Sequence, residues 1–317
     1  MEVSIVVPTY GRPEHLRACL KWVARLEFPR SDFEVVVVDD GSPEAMDSVV
    51  GPFGKRLNLT LLRKDNGGPA SARNLGAEAA RGCYLAFLDD DCRPAKKWLR
   101  TIGQSLSRHP QDMVGGHTVN RLSRNPYSTA SQCLVDIVYK HFNSAQSPNG
   151  FFTSNNLAVN AELFRHVGGF DSRFALAAAE DREFCERWLA LGYRLRYVPE
   201  SVIYHLHRLN FGSFMKQHLN YGRGASLYHA IRSQRGHRSL KVDLEFHGQL
   251  IKHLRVPVPG GSFGQQSRVA AALVLSQLSY IAGYAQARLF GESRSIEPDA
   301  ASQDCSVEVV KSVGRKA

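Results

Sequence analysis

Residues 3–7 read Val-Ser-Ile-Val-Val and residues 34–38 read Glu-Val-Val-Val-Val, two short apolar runs rich in β-branched side chains. Further apolar runs follow at residues 59–62 and 84–88. Short continuous apolar runs are typical of strands that are buried on both faces of a sheet. The first hundred residues therefore contain four predicted strands.

Helical patterns separate these strands. Pro13 can open a first helix, because proline is favoured at the first helical position, and Leu16, Leu20 and Val23 then recur at helical spacing. Pro69 opens another helix. This alternation predicts an α/β fold with a mostly parallel sheet flanked by helices. Ligands of such sheets bind at the carboxyl ends of the strands.

Polar and acidic residues follow three of the predicted strands. The segments are Pro8-Thr9-Tyr10-Gly11-Arg12 after the first strand, Asp39-Asp40-Gly41-Ser42 after the second and Asp89-Asp90-Asp91 after the fourth. Turn chemistry alone explains any one of them, and for the second it stays an open alternative. Three such ends at one edge of a sheet favour a ligand site.

The acidic triplet Asp89-Asp90-Asp91 is the strongest candidate for a metal site. Three neighbouring carboxylates repel one another and need a counter-cation. Mg²⁺ and Mn²⁺ prefer oxygen ligands and also bind substrate diphosphates. Asp89 and Asp91 are expected on one side of an extended backbone, with Asp90 on the other. The alternative is a solvated acidic loop before a helix that begins near Pro94.

The second half of the chain is less regular. It contains predicted strands at residues 156–159 and 193–198 and predicted helices at residues 161–167, 180–191 and 211–235. We predict one α/β domain at residues 1–210, a basic and apolar helical extension at residues 211–290, and a flexible tail at residues 291–317.

Composition narrows the function classes. The 317 residues carry 40 Lys plus Arg and 30 Asp plus Glu, a net charge of +10, and 43% are hydrophobic, which excludes a chain disordered as a whole. Residues 1–200 are nearly balanced in charge, whereas residues 201–255 hold 9 basic and 2 acidic residues. A local basic segment beside an apolar one suits anionic lipid or a phosphate-bearing acceptor, and we expect no nucleic-acid partner.

The cysteines and the N-terminus bear on the compartment. The six cysteines are scattered and have no metal-ligand spacing: Cys19, Cys83, Cys92, Cys133, Cys185 and Cys305. The chain enters its first strand without a basic segment or a small-residue cleavage site. The sequence thus predicts a reduced, cytoplasmic location.

The ordered set of motifs resembles the family 2 glycosyltransferases of the GT-A fold. It comprises residues 3–10, Asp39-Asp40-Gly41-Ser42, residues 66–74, residues 88–91, Gly168-Gly169-Phe170-Asp171, Glu180-Asp181 and His205. The resemblance spans about residues 3–210. It implies a nucleoside-diphosphate sugar donor, a divalent cation (Mn²⁺ or Mg²⁺) and a glycan or lipid-linked acceptor.

The resemblance also implies roles for individual residues. The predicted nucleotide-binding residues are Pro8, Thr9, Tyr10, Arg12, Asp39, Arg73, Asn74, Asp89 and Asp90. The predicted metal ligands are Asp91 and His205. The predicted acceptor or donor sugar contacts are Asn155, Asn156 and Gly169; the two asparagines are chosen because they precede a predicted apolar strand, and asparagine is also common in turns. Asp181 is the predicted catalytic base and Glu180 its neighbour, although acids in a first helical turn are also favoured by the helix dipole.

The chemistry of sugar transfer fits two separate carboxylate sites. The departing diphosphate needs charge stabilisation, and the acceptor hydroxyl must lose a proton. Asp91 and Asp181 fit these two roles, so we expect an inverting, metal-dependent glycosyltransferase of cell-envelope or exopolysaccharide glycan or glycolipid synthesis. The alternatives are a nucleotide-sugar-binding scaffold without turnover and a sugar nucleotidyltransferase that uses Arg12. A dinucleotide oxidoreductase is disfavoured because no glycine fingerprint follows the first strand.

Residues 269–287 form an uncharged stretch near the length that spans a membrane. Polar and small residues weaken the case for spanning: Ser276, Gln277, Ser279, Gly283 and Gln286. The sequence favours peripheral contact of residues 201–290 with the inner face of the cell membrane. Whether residues 269–287 span, lie on or are independent of a membrane stays open at this point.

Overall fold

The computed structural model describes residues 2–143, 150–236 and 262–290, together with a strand at residues 308–313. The strands in this part of the chain are β1 (Val3–Thr9), β2 (Phe33–Asp39), β3 (Leu59–Arg63), β4 (Tyr84–Leu88), β5 (Cys92–Pro94), β6 (Asp112–Asn120), β7 (Asn156–Asn160), β8 (Arg194–His205) and β9 (Glu308–Val313). The helices are α1 (Pro13–Val23), α2 (Asp47–Val50), α3 (Gly68–Ala79), α4 (Trp98–Arg108), α5 (Pro126–Phe142), α6 (Ala161–Val167), α7 (Glu180–Ala190), α8 (Phe211–Gln234) and α9 (Phe263–Phe290).

The strands form one mixed sheet in the order β5-β8-β6-β7-β4-β1-β2-β3-β9. The segment β4-β1-β2-β3 is parallel, as is the β6–β8 pair. The pairs β4–β7, β6–β7, β5–β8 and β3–β9 are antiparallel. The predicted α/β class is confirmed, and its parallel centre lies where the alternating sequence pattern placed it.

Side chains alternate between two cores on the opposite faces of the sheet. Val3, Ile5 and Val7 of β1 pack into the core that includes α1, α2 and α4. Val6 and Phe87 pack on the other face with α6 and α7. Because helices cover both faces, the central strands must be apolar throughout, which explains their continuous apolar runs.

The register places the strand ends at one edge of the sheet. Thr9 pairs with Asp39 at the ends of β1 and β2, and β4 runs parallel to β1 up to Leu88. His205 ends β8 and pairs with Cys92 of β5, so it reaches the same edge from the other side of the sheet. The predicted convergence of polar segments thus follows from the strand pairing.

Two regions differ from the sequence prediction. Residues 92–94 form β5 rather than the start of a helix, because the chain reverses in a turn closed by a hydrogen bond from the Cys92 amide to the Asp89 carbonyl (3.0 Å) and then pairs with β8. In the predicted flexible tail, residues 308–313 form β9, which pairs with β3. The other tail residues lie outside the described residues.

The helical extension packs beside the α/β domain. Helices α8 and α9 approach closely at two glycines, since a Cβ on Gly222 would lie 2.0 Å from the Tyr280 carbonyl oxygen and one on Gly283 would lie 2.0 Å from the Leu219 carbonyl oxygen. Among the described residues, α9 alone is long and apolar enough to cross a membrane, with a mean hydropathy of 1.2. Residues 237–261 of the predicted extension lie outside the described residues.

Candidate active site

Asp90 and Asp91 share one guanidinium group at the edge of the sheet. Arg12 contacts Asp90 (Nη2 to Oδ1, 2.7 Å) and Asp91 (Nη1 to Oδ2, 3.2 Å). Thr9 also donates to Asp90 (2.7 Å). Burial raises the pKa of Asp90 to about 7, with Arg12 opposing the rise and Asp91 adding to it. Arg12 thus supplies part of the counter-charge that these carboxylates need.

Asp89 bonds a different arginine from Asp90 and Asp91, which differs from the expectation that Asp89 and Asp91 share one set of surroundings on one side. The prediction assumed an extended backbone, but the chain turns at residues 90–91. Arg73 donates to Asp89 (2.8 Å) and to Glu180 (3.0 Å) and is itself only 3% exposed. Burial alone would lower the pKa of Arg73. The negative charges of Asp89 and Glu180 outweigh that effect, so the pKa of Arg73 is raised. Arg73 therefore connects the acidic triplet to the start of α7.

Asp181 lies in the first turn of α7 beside Glu180. Its carboxylate accepts hydrogen bonds from the amides of Arg182 (2.8 Å) and Ser154 (3.4 Å). Burial and the neighbouring Glu180 raise the pKa of Asp181 to about 7, and Arg73 opposes the rise. Since Glu180 is paired with Arg73, Asp181 is the carboxylate of the two that has no ion pair with an arginine in the described part of the chain. This is the electrostatic setting that a general base requires.

The start of α7 is set by a strained residue. Ala179 has φ +70°, and it is the one non-glycine residue with a positive φ in the described part of the chain. Such a conformation costs roughly 1–3 kcal/mol and persists only where the surroundings impose it. The strain is located immediately before Glu180 and Asp181, where it fixes the direction in which the helix begins.

Asp91 and His205 can hold a divalent cation. His205 Nε2 lies 3.2 Å from Asp91 Oδ1, and ligand atoms of Asp91, Cys92 and His205 lie within 4.8 Å of one another. Burial alone would raise the pKa of Asp91, but His205 and Arg12 hold it well below its usual range. Burial raises the pKa of the Cys92 thiol, which keeps it protonated. A carboxylate with an imidazole suits Mn²⁺ better than Mg²⁺, which prefers oxygen ligands.

The predicted base-binding residues have different exposures. Tyr10 is 51% exposed and can present its ring to a ligand. Asp39 is 1% exposed, accepts from the Ser42 amide (2.9 Å) and pairs with Arg63 (3.3 Å). Arg63 therefore supplies a counter-charge to the buried Asp39 carboxylate.

Three other predicted ligand contacts lie in buried or hydrogen-bonded surroundings. Pro8 is buried and is the next-to-last residue of β1, directly before Thr9 at the ligand edge. The Asn74 side chain accepts from the Phe170 amide (2.9 Å) and donates to the Phe170 carbonyl (2.7 Å), so both of its amide atoms already contact the backbone. Gly169 is buried at φ +64°, and its carbonyl accepts from Arg187 (2.6 Å). Asn74 and Gly169 both stabilise the turn that follows α6.

Asn156 is also corrected, because its side chain is committed to the interior. It is 1% exposed, accepts from Trp98 Nε1 (2.8 Å) and donates to the Ser201 carbonyl (3.0 Å) and the His117 carbonyl (3.2 Å). No amide atom remains for a sugar hydroxyl. Asn155 is only partly buried and accepts from Thr153 (2.8 Å), so it stays a candidate.

We expect Asn156→Ala to lower the free energy of unfolding by about 1–3 kcal/mol, because it leaves buried polar groups of Trp98 and Ser201 without partners. Asn155→Ala is the matched control and should change stability by less than about 0.5 kcal/mol. Urea unfolding followed by circular dichroism measures both. Equal effects of the two substitutions would contradict the structural role of Asn156.

Sequence reasoning missed two contributors to the site. Asp40 accepts from the amides of Gly67 (3.0 Å) and Gly68 (2.9 Å) and from Lys64 (2.9 Å), and so holds the loop before α3. The Asp-Asp-Gly-Ser turn signalled this acid, but the prediction chose its neighbour Asp39. Tyr221 of α8 arrives from a distant segment, and no local motif marks it.

Tyr221 of α8 lies within electrostatic range of Asp181 and Glu180. Its hydroxyl accepts from Gln217 (2.7 Å), which also contacts Ser131 of α5 (3.2 Å). Burial raises the pKa of the Tyr221 hydroxyl, and the charges of Asp181 and Glu180 add to the rise. Helix α8 therefore brings a side chain near Asp181 and Glu180.

Comparison with known proteins identifies the chain's family. A family model described as "Glycosyl transferase family 2" matches residues 4–168, more than half of the chain. The chain belongs to glycosyl transferase family 2. It is therefore a glycosyltransferase, and the predicted family and enzyme class are confirmed.

Proteins similar in sequence and in structure to this glycosyltransferase support the family assignment. Glycosyltransferase AglE of Haloferax volcanii is 30% identical over 224 residues, covering 70% of this chain and 72% of that protein. Chondroitin synthase of Escherichia coli is 28% identical over 243 residues, but the chain spans only 34% of its length. Mannosyltransferase PcManGT of Pyrobaculum calidifontis, solved with GDP-Man and Mn²⁺, has a TM-score of 0.65 at 21% identity, covering 92% of this chain and 88% of that one. This likeness shows the GT-A fold.

Proposed function

We propose that this glycosyltransferase is an inverting, metal-dependent enzyme that moves a sugar from a nucleoside-diphosphate donor to a hydroxyl acceptor in cell-envelope or exopolysaccharide glycan or glycolipid synthesis. The observation that carries the proposal is the Asp181 carboxylate, which accepts two amide hydrogen bonds at the start of α7 and whose pKa is raised to about 7 by burial and Glu180. The GDP-Man and Mn²⁺ of the structural neighbour are consistent with such a donor and cofactor.

Asp181 removes the proton of the acceptor hydroxyl in this proposal. A base acts best when its pKa lies near the working pH, and burial brings Asp181 into that range. Glu180 is held by Arg73 and does not compete for the proton. One unpaired carboxylate on the acceptor side suits direct displacement at the sugar carbon, which inverts its configuration.

The donor binds at the opposite side of the site. Tyr10 presents an exposed ring for the nucleotide base, and Arg12, whose side chain is 44% exposed, provides a cation for the diphosphate. Asp91 and His205 would hold the divalent cation. When bound, that cation stabilises the charge that develops on the departing diphosphate.

The function is tested by incubating the protein with Mn²⁺ and a panel of UDP, GDP and dTDP sugars. Release of nucleoside diphosphate is measured with and without acceptors from a crude envelope extract. We expect acceptor-dependent release from one donor class, and release at least about 100-fold slower from Asp181→Asn. Equal background release from both proteins for every donor would contradict the proposal. Nucleotide-sugar binding without release would indicate a scaffold, and pyrophosphate release a nucleotidyltransferase.

Metal removal should abolish the transfer reaction. We expect EDTA to lower the rate at least about 100-fold, and Mn²⁺ to restore it better than Mg²⁺, because His205 offers a nitrogen ligand. His205→Ala should weaken Mn²⁺ binding in calorimetry, whereas His109→Ala, a histidine outside this cluster, should not. Full activity in EDTA after dialysis would contradict the metal dependence.

We also propose that α9 lies on an anionic membrane surface. Val274, Leu278 and Ile281 form an exposed apolar stripe on this helix, with 46%, 58% and 61% of their surfaces exposed. Arg268 and Arg288 flank the stripe and are exposed. Arginines at the ends of an apolar face can reach anionic headgroups while the stripe enters the acyl boundary. Because the other face packs on α8, a surface-lying helix fits better than a spanning one.

Ile281→Asp should weaken binding to phosphatidylglycerol-containing vesicles about tenfold, since it places a charge in the apolar stripe. Leu191→Asp is the matched control, because Leu191 is 52% exposed but lies outside α9. Vesicle co-sedimentation at low salt measures both. A wild-type protein that stays in the supernatant, or equal binding by the two variants, would contradict the membrane contact.

A further inference from the structure

A second cleft lies between α5 and the strands β6 and β8, beside the site described above. Its volume is about 330 Å³, and its walls include Tyr139, Tyr197, His117 and Gln132. Pockets that bind small molecules range from about 300 to 1,000 Å³. The cleft is therefore at the small end of that range, which suits one sugar ring and not a nucleoside diphosphate.

Aromatic and polar groups line this cleft together. The rings of Tyr139 and Tyr197 meet edge to face at 5.9 Å, and Tyr197 is 39% exposed. The Tyr197 hydroxyl lies 3.1 Å from His117 Nδ1. Sugar rings have an apolar face of C–H groups and a rim of hydroxyls, so an exposed tyrosine ring beside hydrogen-bonding groups matches their chemistry.

The polar groups of the walls carry little net charge. Asp136 and Lys140 contribute one acid and one base, and Gln132 donates to Asp136 (2.8 Å). Thr118 is 5% exposed, and its hydroxyl has no hydrogen-bond partner among the described residues. A buried hydroxyl without a partner favours a ligand that supplies one. The balance of charge favours a neutral ligand over a phosphate.

One short loop connects the cleft to Asp181. The Tyr139 hydroxyl lies 2.9 Å from Thr153 Oγ1 and accepts a hydrogen bond from the Thr153 amide (2.9 Å). The next residue, Ser154, donates its amide to Asp181 (3.4 Å). A wall of the cleft and the proposed base are therefore held by consecutive residues of one loop, which places the cleft on the acceptor side of the site.

We propose that this cleft binds a neutral monosaccharide unit of the acceptor, a unit other than the one that receives the transferred sugar. That the bound sugar belongs to an acceptor rests on the proposed transferase function. The binding of a sugar in this cleft does not depend on that function. Tyr197 supplies the apolar platform, and His117, Gln132 and Asp136 supply hydrogen bonds to the ring hydroxyls.

Binding is tested without catalysis on the full-length chain. The probe is a panel of methyl hexosides and methyl N-acetylhexosaminides, titrated by saturation-transfer NMR. We expect at least one glycoside to bind the wild type, and to bind Tyr197→Ala and the double variant Asp136→Ala/Lys140→Ala about tenfold more weakly. Glu162→Ala/Arg165→Ala is the matched control, since it also removes one exposed acid and one exposed base from a helix.

Competition separates this cleft from the donor site. Excess nucleoside diphosphate with Mn²⁺ should not displace the glycoside from the wild type. Displacement, unchanged affinity in both cleft variants, or no binding by any glycoside of the panel would overturn the proposal. The double variant keeps the test valid if Tyr197→Ala fails to fold, because both of its positions are exposed.

Kinetics then distinguishes this inference from the proposed function. With an active donor and acceptor, the cleft variants should raise the acceptor KM about tenfold, and the control pair should not. A protein that binds glycosides in the cleft but transfers no sugar would contradict the proposed function and support the sugar site. A transferase whose acceptor KM and glycoside affinity are the same in all variants would support the proposed function and contradict the sugar site.

Discussion

Asp181→Asn should lower the rate of sugar transfer by about 10²–10⁴-fold, the range that loss of a general base produces. Asparagine has nearly the same shape and can still accept a hydrogen bond from the Arg182 amide, which bonds Asp181 at 2.8 Å. Donor affinity should therefore stay close to that of the wild type. Transfer rates at saturating donor, with donor affinity measured by calorimetry, provide the test.

The pH dependence of the wild-type transfer rate should reflect the titration of Asp181. Because burial raises the pKa of Asp181 to about 7, the rate should increase with pH as the carboxyl group loses its proton and becomes the active base. The rate should level off above about pH 7. Asp181→Asn should lack this rise in its residual rate. Asp47→Asn is the control, since Asp47 is an exposed acid in the first turn of another helix, and it should leave the profile unchanged.

The same substitution should increase stability at alkaline pH. A carboxyl group whose pKa is raised by folding binds more protons in the folded state, so its contribution to stability is present at low pH and lost as pH rises through the folded pKa. Asp181→Asn should thus raise the free energy of unfolding above about pH 7, on the order of 1–2 kcal/mol, and not near pH 4. A slower enzyme that is not more stable at pH 8 would contradict the assigned burial cost.

Arg73→Met should be the most destabilising substitution in the site. It leaves Asp89 and the 4%-exposed Glu180 without their shared cation, and breaking one side of a buried ion pair costs about 3–5 kcal/mol. That is a large fraction of the roughly 5–15 kcal/mol by which domains are stable. Chemical unfolding measures the loss, and transfer activity should fall with it because Glu180 adjoins Asp181.

Two further variants identify the cause of that loss. Glu180→Gln added to Arg73→Met should recover part of the stability, since it removes a carboxylate that has lost its cation. Arg17→Met is the control, because Arg17 pairs with Glu14 on an exposed face of α1 and should cost less than about 1 kcal/mol. Similar losses for Arg73→Met and Arg17→Met, or no recovery in the double variant, would show that the buried network does not act as described.

The sequence was informative wherever a local pattern determines the structure. Residues 84–88 were predicted as a strand and form β4, and residues 161–167 were predicted as a helix and form α6. Parallel pairing then requires the polar segments after β1, β2 and β4 to meet at one edge. The predicted cluster around Asp90 and Asp91 followed from strand order alone.

The errors share a different origin. Asn74 and Asn156 are amides whose roles depend on which distant backbone groups approach them, Phe170 for one and Ser201 for the other. The surroundings of the Asp89 side chain depend on the turn at residues 90–91, which the prediction of an extended backbone did not include. Tyr221 reaches the site only because α8 folds back over the domain, and no spacing in the sequence encodes that contact.

The register of the sheet also determines where the ends of the described chain emerge. Val35 pairs with Leu59 near the starts of β2 and β3, and Leu59 pairs with Val313 at the end of β9. Val3, which begins β1, lies at the same edge, opposite the one that holds Thr9. An affinity handle or surface anchor joined beyond either strand would start at the edge opposite the proposed nucleotide site. Immobilised protein could therefore be used for donor titrations without the attachment obstructing entry of the nucleotide.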